Sequence, residues 1–434
     1  MKTPCIRWLT LSVLLHAVGV PLFASAQPAG ALAALTLPDA ERMLTANNRE
    51  LALARRALDQ ASADVVMAGQ KPNPQLSFVM QNINPSRGVG NGDPRAKTVD
   101  SIVRVDQLIE RGGKAELRTE TARRLQSAAA EDIGDTARQQ LLALRATYFD
   151  LLAAQDKTVS TSESALLFER TVEAARLREK AGDLAAADVA RIRVDALRAR
   201  NDARAAEAEL GRAQVALAYL IGAESGAKVI RAAAPWPALD GAPLPELTEE
   251  MVNNRADVRA ARARIAAADK ARELAQSLRK RDVSVGVQYE HWPSRADANN
   301  QGTGNSFGVA MAVPLFLRHS NEGEIARAQA DWYAARDFLD KVRAQALTEA
   351  ARARSDLDAA RERLVRFEAE LLPQAEKSAG SAEFAFRNGA TGVMDLLDAR
   401  RTLKAIQIDA VVARADHAKA LAAFELNVGV SARR

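Results

Sequence analysis

Cysteine is all but missing from this 434-residue chain: the only one, Cys5, lies in its first ten residues. A disulfide framework or a thiolate metal site is therefore not expected. Histidine is nearly as scarce. His291, His319 and His417 fall in different stretches, with no ligand spacing such as H-x-x-x-H. No resident metal and no cofactor is expected. Aromatic residues make up only 4% of the chain, too few for a large compact core, whereas the Ala-, Arg-, Leu- and Glu-rich remainder favours long helices and coiled coils. No segment after the N-terminus has 18 uninterrupted apolar residues, so no transmembrane helix is expected. A net charge of only +5 (60 basic against 55 acidic residues), spread evenly, gives no case for a nucleic-acid partner. A nucleophile–base arrangement is also lacking. The Gly88-Val89-Gly90-Asn91-Gly92 run precedes no helix start and reads as a loop rather than a phosphate cradle. No enzyme activity is expected.

What is present begins with an export signal over residues 1–26. Lys2 and Arg7 supply the positive start, Leu9 to Phe23 the short apolar stretch, and Ala24-Ser25-Ala26 the cleavage site. Gln27 would open the mature chain. An uncleaved anchor is the alternative. No cysteine follows the cleavage site, so N-terminal lipidation is not expected.

The rest divides into two halves, 27–230 and 231–434, related by an offset of about 207 residues. Gly182 matches Gly389, Asp188 matches Asp395 and Gly222 matches Gly429. Val105-Asp106-Gln107-Leu108 falls on Ala312-Val313-Pro314-Leu315, and Asn48-Arg49 on Asn254-Arg255. A period this long marks a duplicated module rather than a solenoid repeat. Each half predicts a helix (about 38–69 and 246–280) and two short alternating segments. A very long helix follows (about 113–181 and 320–388), then a glycine turn and a closing helix. Pro373 should break or kink the second long helix.

The alternating segments, about 74–82, 99–108, 282–291 and 306–315, have the period of strands. Val283, Val285, Val287 and Tyr289 share one face; Ser284, Gly286, Gln288 and Glu290 share the other. Phe307, Val309, Met311 and Val313 oppose Ser306, Gly308, Ala310 and Ala312. Leu76, Phe78 and Met80 alternate with Gln75, Ser77 and Gln81; Val99, Val103 and Val105 oppose Asp100, Arg104 and Asp106. Apolar on one face and small or polar on the other is the pattern of a transmembrane barrel strand. Long polar loops at 82–98 and 292–305 suit extracellular connections, and Tyr289 and Trp292 suit an interfacial belt. A soluble hairpin packed on helices is the alternative. Four strands cannot close a barrel, and open edges in lipid leave backbone groups unpaired. Three copies, a homotrimer, would supply 12 strands and enclose a pore.

Residues 113–181, 69 in number, would give roughly 100 Å of helix at about 1.5 Å per residue. A globular core needs no such rod; a tunnel does. The closing helices carry heptads. Ile192, Ala199, Ala206, Ala213 and Leu220 alternate with Ala196, Ala203, Leu210 and Leu217. Ala399, Ile406, Ala413 and Ala420 alternate with Leu403, Ala410, His417 and Phe424.

Over essentially the whole mature length, this order and several motifs resemble the outer-membrane efflux proteins, the TolC-like channels. Two motifs carry the resemblance: Val105-Asp106-Gln107-Leu108-Ile109-Glu110-Arg111-Gly112-Gly113-Lys114, and Asn388-Gly389-Ala390-Thr391-Gly392-Val393-Met394-Asp395-Leu396-Leu397-Asp398. The first is similar to the CzcC-like heavy-metal efflux branch. The resemblance implies a mainly α fold with a small β part: a trimeric 12-stranded outer-membrane β-barrel continued by a periplasmic α-helical coiled-coil barrel. It implies a passive duct for cations such as cobalt, zinc or cadmium, fed by an inner-membrane resistance-nodulation-division pump through a periplasmic adaptor. A multidrug or type I protein-secretion duct remains an alternative, as does a soluble periplasmic coiled-coil adaptor.

The resemblance also implies roles at the helical tips. The turns 180–188 and 387–395 would dock the adaptor through Lys180, Gly182, Asp188, Arg387, Gly389 and Thr391. Asp395 and Asp398 would ring the closed entrance, where three copies would raise some carboxylate pKa values by like-charge repulsion. Acidic residues that merely complement a helix dipole are the competing reading. Thr391 and Phe386 stand where some members have a gate arginine and a tyrosine; Arg387 or Arg191 could substitute.

Overall fold

A computed structural model describes residues 32–81, 83, 99–239, 246–292, 304–388 and 390–429. The export signal, the Gly88–Gly92 run, nearly all of both long strand loops and Gly389 lie outside the described residues.

The order is α1 (Leu37–Asn47), α2 (Arg49–Gly69), β1 (Gln75–Gln81), β2 (Asp100–Ile109), α3 (Lys114–Lys180) and α4 (Ala186–Ile221). It recurs as α5 (Glu249–Asn253), α6 (Ala256–Ser277), β3 (Val283–Trp292), β4 (Gly304–Ala312), α7 (Glu322–Arg366), α8 (Leu372–Arg387) and α9 (Val393–Val428). The 67 residues of α3 extend for about 100 Å.

The first helix of each half is split where the sequence predicts one continuous helix. Asn48 is extended, and its side chain accepts the Leu51 N–H at 3.0 Å while donating to the Leu220 carbonyl at 3.1 Å. Capping the new helix satisfies a buried polar side chain that a continuous helix would leave unpaired. In the second half, extended Arg255 is buried and donates to Asp257 and Glu349, each at 2.8 Å. The second long helix also breaks. A π-turn, Phe367–Leu371, separates α7 from α8, and Pro373 follows in the first turn of α8. Proline has no N–H for the ladder, and its ring crowds the carbonyl four residues earlier. The wider turn relieves both problems.

The main core lies midway along the rod. There Leu144, Tyr148 and Leu151 of α3 meet Leu44 of α1 and Leu217 and Ile221 of α4. A strap after α4 closes it, with Leu35 bridging Ala232 and the Tyr148 hydroxyl donating to the Leu35 carbonyl at 2.8 Å. Gly222 ends α4 at φ +68°, pressed so closely on Asn47 that no side chain would fit.

The four strands form one antiparallel sheet, β1-β2-β3-β4. Its columns run Leu76–Val105–Val287–Val309 and Phe78–Val103–Tyr289–Phe307. β4 stops at Ala312 rather than near 315, since Pro314 has no N–H to extend a ladder. Val99, expected on the apolar face, instead precedes β2 and is buried.

Candidate pore face and helical tips

The two faces of the sheet differ in chemistry. On one, Phe307 is 84% exposed, Val309 81% and Met311 73%, joined by Leu76, Phe78, Val103, Val105 and Val287. Aliphatic and aromatic side chains this bare form a patch far more continuous than water normally tolerates. The other face carries Ser77, Arg104, Asp106, Ser284, Gln288 and Glu290 among Gly286, Gly308, Ala310 and Ala312. Its glycines make room for large neighbours. The Asp106 carboxylate lies directly over Gly286, and the Gln288 side chain lies over Gly308. Arg104 donates to Asp106 through Nε at 2.7 Å and Nη2 at 2.7 Å. This ion pair is absent from the sequence-based reading, although an i, i+2 spacing in a strand puts both charges on one side.

Among the described residues, β1 and β4 each present an unpaired edge.

At the far end of the rod, the two hairpin turns lie side by side. The Arg178 guanidinium sits 5.9 Å from the Phe386 ring centre, linking the end of α3 to the end of α8. Leu397, Val393 and Met394 of α9 pack on a core made by Phe168, Val172, Val189 and Ile192 of α3 and α4. Lys180, Gly182, Arg387 and Asp395 are exposed. Gly182 turns at φ +85°, a conformation that favours glycine. Asp188 lies 3.8 Å from Arg191 in the first turn of α4. Thr391 is partly buried, and its hydroxyl has no hydrogen-bond partner among the described residues.

Asp395 and Asp398 occupy one face of the start of α9, yet their surroundings differ. Asp395 folds back beside Gly392. Asp398 accepts from Arg401 Nη1 at 2.7 Å, while Arg401 Nη2 reaches Asp195 on α4. One guanidinium therefore ties the two hairpins together and offsets part of the Asp398 charge. A second cluster lies nearby: Glu383 accepts from both Arg387 and Arg400. The Arg400 charge above all, joined by Arg387, holds the Glu383 carboxyl below its usual range. Arg387 is thus committed to its own helix, and Arg191 faces Asp188. Arg401, Arg400, Asp195 and Glu383 are missing from the sequence-based site, because their pairing joins separate helices, α4 to α9 and α8 to α9.

Higher on the rod a cavity of about 390 Å³ lies among α3, α4 and α9, lined by Thr161, Phe168, Asp195, Arg401, Lys404 and Ile408. Burial lowers the Lys404 pKa there, against an opposing pull from Glu163. His417 is buried on α9 with Nδ1 unpartnered among the described residues, and burial, helped by the Arg361 charge, lowers its pKa. Among the described residues no group of three or more His, Cys, Asp or Glu side chains could hold a metal ion.

Comparison with known proteins agrees with this geometry. The chain is 27% identical over 389 residues to the cobalt-zinc-cadmium resistance protein CzcC of Cupriavidus metallidurans, covering 88% of this chain and 86% of that one. Solved structures share the fold. A membrane protein from Pseudomonas aeruginosa superposes with a TM-score of 0.74 at 19% identity, covering 91% of this chain and 93% of that one. The outer membrane protein VceC of Vibrio cholerae gives 0.71 at 19%, covering 91% and 96%. CusC, whose structures concern transmembrane channel formation, gives 0.73 at 16%, covering 90% and 91%. The family model described as "Outer membrane efflux protein" matches residues 42–223 and 247–430, most of both halves, and on that match the chain belongs to the outer membrane efflux protein family.

Proposed function

We propose that three copies of this chain close their sheets edge to edge into a 12-stranded barrel, continued by the helices as a passive exit duct across the periplasm. The bare apolar face on a sheet with two free edges carries this reading. In lipid, every N–H and C=O at those edges needs a partner, at several kcal/mol each, and sister strands supply them. The polar face with Arg104 and Asp106 then lines the pore. Halves 27–230 and 231–434 act as two modules of one wall, exported by a cleaved signal at 1–26 and not lipidated.

The cargo in this reading is a divalent heavy-metal cation such as cobalt, zinc or cadmium. The relationship to a cobalt-zinc-cadmium resistance protein supports this. An inner-membrane resistance-nodulation-division pump delivers the ion through an adaptor that docks on the tips around 180–188 and 387–395. Asp395 and Asp398, three copies of each, ring the entrance and favour cations. With a single cysteine, and no cluster of metal ligands among the described residues, the duct passes metal rather than selecting it.

Two measurements test this. Membrane fractionation should find the chain in the outer membrane as a heat-sensitive trimer; a soluble periplasmic monomer refutes the duct. Deletion should sensitise cells to zinc, cobalt or cadmium; sensitivity to dyes alone refutes the metal cargo.

A further inference from the structure

We propose that the junction of sheet and helices carries a collar that binds the phosphate head of an anionic phospholipid, in each copy of the chain. The inference rests on the membrane-barrel reading above. At this end of the sheet the last paired residues on the apolar face are Ile109 and Val283. Continuing the same alternation two residues past each strand leads to Arg111 and Arg281, both exposed. At about 3.4 Å per residue they stand roughly 7 Å beyond the apolar face, where hydrocarbon gives way to headgroups. The Arg281 guanidinium lies 5.3 Å from the Phe316 ring centre. On either side of that ring Leu315 is 67% exposed and Leu317 85%. These leucines follow β4 with the same parity as Phe307, Val309 and Met311.

The charge at this level is one-sided. Glu110 is held by Arg118 at 2.8 Å, Asp282 by Lys114 at 2.8 Å and by the Arg111 N–H at 2.8 Å, and Glu322 by Ser320. Arg111, Arg279, Lys280, Arg281 and Arg318 form no ion pair among the described residues, although Asp282 is close enough to feel the Arg111 charge and Glu322 the Arg279 charge. Arg111 and Arg281 lie just past the paired residues Ile109 and Val283, outside the strands themselves. Like charges gathered at this end of the sheet repel, and an anion among them relieves that repulsion. A guanidinium fork fits a phosphate in a bidentate manner. The occupant must also present hydrocarbon beside its anion, because Phe316, which Arg281 meets, stands between two bare leucines. A phospholipid does both; an acidic protein segment offers only the charge.

The full-length protein in neutral detergent, followed by native mass spectrometry, tests this. Phosphatidylglycerol should remain bound where phosphatidylcholine of the same acyl chains does not. Arg111→Gln with Arg281→Gln should reduce that preference by roughly thirtyfold, the factor expected of two arginines at an anionic surface. Raised salt should shrink the preference of the unaltered protein, so the collar remains testable if the double variant fails to assemble. Equal retention of both lipids overturns the proposal. So does displacement of phosphatidylglycerol by polyglutamate, which would assign the collar to an acidic protein partner, or by inorganic phosphate alone. The same spectrum reads oligomer mass. A trimer without lipid preference removes the collar only, whereas a lone monomer removes the duct and the collar with it.

Discussion

The joint between the sheet and the long helical rod depends on one buried amine. Lys114, at the start of α3, is buried, with its side chain only 8% exposed against 25% for Asp282. Its ammonium donates to the Lys280 carbonyl at 2.7 Å and to the Asp282 carboxylate at 2.8 Å. Both acceptors lie just ahead of β3, so the contact fixes where α3 begins relative to the sheet. Replacing Lys114 with Met keeps the side-chain volume and removes the charge. Breaking a buried ion pair from one side costs about 3–5 kcal/mol. Asp282 keeps the Arg111 N–H and partial access to water, so a loss of about 2–3 kcal/mol is expected. Unfolding entropy of about 2.1 cal/mol/K per residue, over a chain this long, makes that a fall of only about 3 °C in melting midpoint. A double-mutant cycle is therefore the sharper assay. Lys114→Met, Asp282→Asn and the pair together would be compared by denaturant unfolding of purified protein in detergent. Asp282→Asn alone should cost less, because an amide oxygen still accepts from Lys114. The double variant should be more stable than the sum of the two losses predicts, by at least about 1 kcal/mol. Strict additivity, or a Lys114→Met variant as stable as the native protein, would refute the assignment of this pair as the joint.

Four further outcomes follow from the same structure. Val309→Arg puts a charge on the bare face and should cost about 2–4 kcal/mol at a bilayer midplane; undiminished trimer in the outer membrane would show that the face does not meet lipid. Asp395→Ala with Asp398→Ala should raise single-channel conductance in planar bilayers, and unchanged current would remove these aspartates from the gate. Arg401→Ala unties α4 from α9 and should open the tip in the same way, seen as more frequent opening; a channel as closed as the native one would leave the tie without a role. His417 has a lowered pKa, so the unfolded chain binds more protons around and below the ordinary histidine range. Native stability should therefore fall as pH drops from about 7 towards 5, and His417→Leu should flatten that part of the profile in urea titrations; an unchanged slope would exclude His417 as its source.

The sheet was legible in the sequence because its signal is local. Valine, glycine and glutamine alternating from Val283 to Glu290 state which side meets which medium, and no distant partner is needed to read it. The rod was legible for the same reason, since the heptad from Ile192 to Leu217 repeats its own rule, and those seam positions are buried or partly buried. The splits at Asn48 and Arg255 were not, because each depends on a hydrogen bond to a residue about 90 to 170 positions away. A helical period continues through both places.

The tip shows the same limit where it bears most on function. Sequence motifs marked Asp395 and Asp398 as equivalent acids in one helical turn. The fold makes them unequal by bringing Arg401 between Asp398 and Asp195. The asymmetry extends along the second hairpin. In the seam of α9, Ala410, Ala413, His417 and Phe424 are buried, whereas Ala399, Leu403 and Ile406, nearer the tip, are all only partly covered. Its partner is also interrupted by the π-turn ahead of Pro373, whereas α3 continues unbroken to Lys180. Apolar packing is thus weakest in the segment where the Arg401 and Arg400 ion pairs hold the hairpin in place. Ion pairs that are partly exposed contribute little each and weaken with salt. Tip packing held mainly by charge should therefore loosen as ionic strength rises, while the main core around Tyr148, which is apolar, should not.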